Sequence, residues 1–374
     1  MKRLLIPVLL LLAGACTDII DYDFSKVEPE LMVLGWLDQS TSSQTVCVSL
    51  SEGGLIKSVE DATVTCYVND RQVASVTAIQ EEKDVYSSHS PFEIAYSGKR
   101  AELQLPVSFS ASLKPGDKVR LTVDANHGTY QASTPELTVP DPVEITNVAT
   151  SHVTVAHLDY SEDYLQIRAD VPDRKGEDNW YCVSIQEVSH GTYYFKDDGP
   201  NLSVSANRTA YIHDLDDPIL LDGNLSQSDL NIFDFSGNGE FACFSDQLFQ
   251  DGTAHLKMNI PSWHDGEDSF RLLGKRLAET YFGTDMLNGR VFDKVCASCQ
   301  LQIRLSQCSQ DAYYYLRSLR TISSEGYDPR IVEPVTVPSN IIGGIGFVDI
   351  VNTAVACIDL HAREEQYPIE DPYI

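Results

Sequence analysis

Thr45–Leu50 reads TVCVSL, with Val46, Val48 and Leu50 on one side of an extended chain and Thr45, Cys47 and Ser49 on the other. Side chains alternate between the two faces of a strand, so this stretch suits a sheet with one buried face. It does not suit a helix, whose apolar residues recur every three or four positions. The same alternation returns in LMVLGWL (Leu31–Leu37), ATVTCYV (Ala62–Val68) and KVRLTVD (Lys118–Asp124), with turn formers between them in VNDRQ and KPGDK. Short strands at this spacing predict an antiparallel β-sandwich, immunoglobulin-like in class, over residues 31–140. The Cys…Trp…Cys pattern of antibody domains is missing, so the expectation is limited to architecture.

A proline-marked strip, STPELTVPDPVEITNV, carries Pro135, Pro140 and Pro142 and is the natural boundary. Beyond it DYLQIRADV, WYCVSIQEV, GTYYF, AHLKMNI and CQLQIRLS again read as strands, which makes the chain mainly β. A second β-rich domain is expected over 141–360, followed by an acidic C-terminal tail over 361–374. Two segments break the rhythm with helical spacing. One holds Phe270, Leu273, Leu277 and Tyr281; the other holds Ala312, Leu316, Leu319 and Ile322, with Ser309 as its cap and Gly326 as its stop. Both apolar stripes are expected to face a core.

The first sixteen residues, MKRLLIPVLLLLAGAC, have the form of an export signal: Lys2 and Arg3, an apolar run over Leu4–Leu12, then Ala13-Gly14-Ala15. The apolar run is too short to span a bilayer, which needs about 20 residues. Cys16 follows the small residues directly, as in a bacterial lipobox, where the thiol is acylated and the chain is cut before it. Ala13 stands where the lipobox has Leu. Residues 1–15 are therefore read as a signal peptide, Cys16 as the lipidation site and 16–30 as a lipidated linker. Acyl chains contribute about 0.8 kcal/mol per buried methylene, so a triacylated end holds a membrane stably.

The formal charge is −28, and it becomes −30 once Lys2 and Arg3 leave with the signal. That balance argues against binding a phosphate backbone, and nucleic acid is not an expected partner.

Eight cysteines remain after Cys16: Cys47, Cys66, Cys182, Cys243, Cys296, Cys299, Cys308 and Cys357. Strand parity puts Cys66 with Val64 and Val68 and turns Cys47 away from Val46 and Val48, which disfavours a bridge between those two. Cys296 and Cys299 form a C-x-x-C, a motif shared by zinc sites, redox pairs and local disulfides. No second C-x-x-C or spaced His pair accompanies it, so no metal is expected, and any local bridge should join Cys296 to Cys299. Cys308 has the opposite parity to Cys299 on that strand.

No nucleophile elbow, zinc-protease helix, phosphate-binding loop or dinucleotide fingerprint occurs, so no catalytic residues are assigned and no cofactor is expected. In DFSGNGE, Asp234, Ser236, Asn238 and Gly239 have the spacing of the first half of a calcium loop. Ser245 stands where the bidentate Glu belongs, which favours a glycine-rich turn. Asp214, Asp216 and Asp217 are expected in a solvated loop. Tyr193, Tyr194 and Phe195 are expected to pack rather than to stack on a ligand. Gly343, Gly344 and Gly346 lie among Ile341, Ile342, Ile345 and Phe347 and read as a closing strand with a bulge.

Several segments together resemble one family, the Bacteroidota lipoproteins catalogued as domain of unknown function 4249. They are PELMVLGWLDQ, EDATVTCYVND, YQASTPELTVPDPV, EDNWYCVSI, FSDQLFQDG, SQDAYYYLRSL and EPVTVPSNIIGGIGFV, in this order over nearly the whole mature chain. The resemblance implies a lipoprotein of the outer membrane found alongside TonB-dependent receptors, and it supplies no catalytic residues. The expectation is a non-enzymatic binding or accessory protein, anchored in the membrane by lipid beside such a receptor. A structural or adhesive surface subunit and a hydrolase with a dispersed site are the alternatives.

Overall fold

The alternating stretches form strands in a computed structural model that describes residues 28–41, 44–52, 55–79, 101–156, 161–174, 176–197, 199–213, 217–222, 238–249, 252–265, 292–323 and 335–366. The first part of the chain forms β1 (Glu30–Asp38), β2 (Gln44–Glu52), β3 (Leu55–Lys57), β4 (Asp61–Val68), β5 (Arg71–Ile79), β6 (Ala101–Leu105), helix α1 (Val107–Ser112), β7 (Lys118–Ala125), β8 (Tyr130–Ser133) and β9 (Leu137–Thr138). The rest forms β10 (Thr146–Ala156), β11 (Ser161–Pro172), β12 (Trp180–Phe195), β13 (Leu202–Ala210), β14 (Ile212–His213), helix α2 (Pro218–Asp222), β15 (Asn238–Gly239), β16 (Phe241–Ser245), β17 (Thr253–Pro261), β18 (Phe292–Cys308), helix α3 (Gln310–Ser323) and β19 (Ile345–Gln366). The fold is mainly β.

Strand parity sets the first core. Val33, Val46, Val48 and Leu103 from β1, β2 and β6 meet Val64, Cys66, Leu121 and Val123 from β4 and β7, all fully or nearly buried in one cluster. Each such side chain taken from water contributes about 1.5–3 kcal/mol. Cys47 points the other way, into a small cluster with Met32 and Leu34. The β4–β5 hairpin turns at Asn69 and Asp70, both with positive φ, as the two central residues of a type I′ turn require.

A second core lies between the other half of the same nine-stranded sheet that holds β1, β2 and β6 and the five-stranded sheet of β10, β11, β17, β14 and β15. Tyr181, Val183 and Ile185 of β12 and Leu301, Ile303 and Leu305 of β18 face Leu165, Ile167 and Val171 of β11 and Leu256, Met258 and Ile260 of β17. The chain passes from one core to the other at the proline strip, with Val139 in the first and Val143 packed against the second.

The two parts share a strand. Residues Ile345–Val351 of β19 pair in parallel with β1, and residues Asn352–Gln366 pair antiparallel with β18. The 22 residues of β19 reach roughly 70 Å at about 3.3 Å per residue, long enough to run through both halves of one nine-stranded sheet. The sheet built on residues 31–140 is therefore completed by a strand from the far end of the chain. The strand also runs to Gln366, so the acidic tail expected from residue 361 begins inside β19. A side-chain bridge reinforces the junction: Arg304 Nη2 lies 2.9 Å from Asp38 Oδ2.

Glycines make the parallel pairing fit. A Cβ on Gly344 would come within 2.3 Å of the Leu31 carbonyl oxygen, and one on Gly346, at φ +109°, within 2.1 Å of that of Val33. Only glycine allows the backbones so close.

Candidate functional site

On β12 the inward positions run Tyr181, Val183, Ile185 and then Glu187 and Ser189. Parity thus carries a carboxylate into the face that holds the second core, and Glu187 is only 1% exposed. Arg208 stands directly across on β13 and donates from Nη2 to Glu187 Oε2 at 2.7 Å. His264, fully buried in a 3-10 turn (Ser262–Asp265) after β17, donates from Nδ1 to the same oxygen at 2.6 Å. Cys299, one cross-strand pair along β18, donates from Sγ to Oε1 at 3.3 Å, and Ser189 Oγ donates to that sulfur at 3.8 Å.

Burial alone would raise the Glu187 carboxyl. The His264 and Arg208 hydrogen bonds and charges outweigh it and hold the group below the ordinary glutamate value. Glu187 is therefore an anion at neutral pH, and it joins β12, β13, β18 and the turn after β17 at one point. A nucleophilic thiol needs an imidazole to take its proton. Here the carboxylate accepts from both the thiol and the imidazole, so the geometry clamps strands at one point.

A second polar group gathers at the end of the same sheet. The Asn179 backbone N–H and its Nδ2 donate to Asp246 Oδ2 at 2.7 and 2.9 Å. Arg174 Nη2 and Gln307 Nε2 donate to Asn179 Oδ1 at 2.7 and 3.0 Å. Next to it Tyr181 stacks on Phe244 and Phe249, at 5.2 and 5.9 Å between ring centroids. Burial pushes the Tyr181 hydroxyl up to about 12.

On the opposite face of β12, Cys182, Cys243 and Cys308 lie under α3 with Ala312, Leu316 and Leu319. The helix starts where the sequence expects: Ser309 Oγ accepts the Ala312 N–H at 3.1 Å, and Asp349 Oδ2 of β19 accepts the Ser309 N–H at 3.0 Å. Burial raises the Asp349 carboxyl to about 6 despite those hydrogen bonds. Tyr315 of α3 stacks on Phe347 of β19 at 4.4 Å. Segments far apart in sequence, EDNWYCVSI, FSDQLFQDG, SQDAYYYLRSL and PSNIIGGIGFV, thus converge on one region.

The residues singled out from sequence have different fates. Cys16, Asp214, Asp216 and the helical segment around Phe270–Phe282 lie outside the described residues, as does the start of DFSGNGE. Cys296 and Cys299, expected as the partners of any local bridge, are unfavourably placed for one. They stand three residues and about 10 Å apart on one continuous strand, on opposite faces, whereas a disulfide needs Cα atoms within about 7 Å. Asp217 is not solvated either: it is 1% exposed, accepts the Ile219 and Leu220 N–H groups at the start of α2, and accepts the Lys257 N–H of β17. Tyr193 and Phe195 are buried, and Tyr194 on the other face lies 5.1 Å under the Lys294 ammonium. Glu187, Arg208 and His264 were not singled out. The readable signal was parity, since WYCVSIQEV places Glu187 on the side of Val183 and Ile185; Arg208 and His264 left none.

Among the described residues no group of three or more His, Cys, Asp and Glu side chains is arranged to hold a metal ion. Comparison with curated proteins gives no match. Residues 17–355 match the family described as Domain of unknown function (DUF4249), a span that includes every strand and side chain of the two clusters except the last part of β19. The chain belongs to the DUF4249 family.

Proposed function

We propose that this protein is a lipid-anchored, non-enzymatic binding or accessory protein of the outer membrane that works beside a TonB-dependent receptor. The observation that carries the reading is the N-terminal stretch ending in Ala13-Gly14-Ala15-Cys16, whose apolar run is long enough for export and too short to span a membrane. The inner polar groups support binding over chemistry. Glu187, joined to both an imidazole and a thiol, is enclosed and occupied by donors from separate elements. A fold built of packed sheets leaves partner contact to the loops that connect its strands.

Labelling with a clickable fatty acid tests the anchor. Wild-type protein should take up label and fractionate with membranes, and Cys16→Ser should do neither. Label incorporated by Cys16→Ser would refute the anchor. Affinity purification of the tagged, detergent-solubilised protein should retain a TonB-dependent receptor in the same complex; its consistent absence would refute the partner assignment.

A further inference from the structure

Cys182 and Cys243 stand directly opposite each other on the antiparallel strands β12 and β16. Opposed residues of such a pair share a face and have Cα atoms about 4.5–5.5 Å apart, inside the range a disulfide accepts. No other two cysteines are paired this way among the described strands. Cys308 lies in the same cluster, but its partner across the sheet is Trp180, and its thiol donates to the Trp180 carbonyl oxygen at 3.6 Å. Cys182 and Cys243 are free thiols in this structure, each 2% exposed beneath α3.

We propose that Cys182 and Cys243 form a cross-strand disulfide as the chain folds in an oxidising compartment. The oxidant is a disulfide-bearing molecule. The thiolate of one cysteine attacks it, breaking its S–S bond and releasing one thiol, and the thiolate of the other cysteine then displaces the second half. Two thiol protons pass to the released thiolates, two electrons go to the oxidant, and one S–S bond forms between β12 and β16. The exchange takes place before α3 covers the pair. In the closed fold, burial and the nearness of Cys243 raise the Cys182 thiol well above its ordinary value and suppress the attacking thiolate. The bond would close a loop from 182 to 243 and fasten β16, which carries Phe244 and leads to Asp246, to the strand that begins beside Asn179.

Meeting such an oxidant in the cell rests on the proposed export, so the test supplies the oxidant directly. The full chain is reduced, unfolded, refolded with a mixture of oxidised and reduced glutathione, unfolded again with iodoacetamide present, and mapped by mass spectrometry without reduction. The expected map has one linked peptide joining Cys182 to Cys243, with Cys308 alkylated. Cys308→Ser should keep that link, and Cys182→Ser should leave Cys243 alkylated. The oxidised chain should unfold at higher urea than the reduced one, a shift absent from the Cys182→Ser, Cys243→Ser double variant. Alkylation of both Cys182 and Cys243 in refolded wild type, or a link from either to Cys308, would overturn the proposal. Since wild type alone decides the linkage, a variant that fails to fold does not blur the result. Failure of the anchor would show separately, as missing label at Cys16.

Discussion

Replacing Asp349 by Asn should make the protein more stable at neutral pH than in its natural form, and the gain should disappear in acid. Asp349 is 2% exposed on β19, opposite Trp36 of β1, and its Oδ2 accepts the N–H of Ser309, the residue that caps α3. Asn keeps an oxygen for that bond and cannot ionise. The natural carboxyl is raised to about 6 in the folded chain, chiefly by burial. An aspartate in the unfolded chain titrates near ~3.9. Below about pH 4 both states carry the proton and the folded state has its full advantage. As pH rises through about 4 to 6 the unfolded chain releases its proton first, and stability falls until the folded group has also ionised. The gap amounts to about 3 kcal/mol, of which about 2 kcal/mol is lost between roughly pH 4.5 and pH 7. Urea unfolding followed by tryptophan fluorescence, repeated across that range for both proteins, isolates the contribution, because every other titrating group cancels in the difference. The stability of Asp349→Asn relative to wild type should climb by about 2 kcal/mol from the acid end to the neutral end. Two stability curves that run parallel would refute the claim that this carboxyl is desolvated.

Glu187→Gln should have the opposite sign: it leaves the guanidinium of Arg208 and the ring of His264 without their anion, at a cost of about 3–5 kcal/mol. Because the Glu187 carboxyl is held below its ordinary value, its contribution is present above the unfolded value and lost as pH falls through the folded one. The deficit of Glu187→Gln in urea unfolding should therefore be largest at neutral pH and shrink in acid, and a deficit that grows in acid would sink the clamp. Two glycines with positive φ separate torsion from contact. Gly116→Ala meets nothing within 4 Å and should cost only the left-handed torsion, about 1–2 kcal/mol. Gly346→Ala places its Cβ against the Val33 carbonyl and should break the β1–β19 pairing, so equal thermal midpoints for the two variants would show that the close approach does not exist.

Much of the local structure was readable in short stretches. Alternation in ATVTCYV and KVRLTVD assigned strands and buried faces correctly, because parity is a property of one extended segment and needs no partner, while TVCVSL is a strand whose second face, at Cys47 and Ser49, is buried as well. Helix α3 was readable for the same reason. Its stripe of Ala312, Leu316 and Leu319 and its Ser309 cap lie within a few residues of one another, and all take the expected places. The helical spacing of Phe270, Leu273, Leu277 and Tyr281 falls outside the described residues.

Tertiary structure decided what depends on which strands become neighbours. Parity alone already opposed Cys296 to Cys299, three residues apart on a strand, yet the C-x-x-C spacing drew attention to them. The pair that sheet register places face to face, Cys182 and Cys243, is separated by 61 residues. Glu187 looked like one polar residue in an alternating strand until β13, β18 and the turn after β17 brought Arg208, Cys299 and His264 to it. Asp217 looked solvated because nothing nearby in sequence announces the Lys257 N–H that it accepts. The sequence by itself determined the strands, their inward faces, the capped helix and the signal-like N-terminus, since each rests on the periodicity or spacing of adjacent residues. Only the tertiary structure decided that β19 joins the two parts of one nine-stranded sheet and that Glu187 is a junction, since long-range pairing depends on loop closure and packing that no single segment encodes.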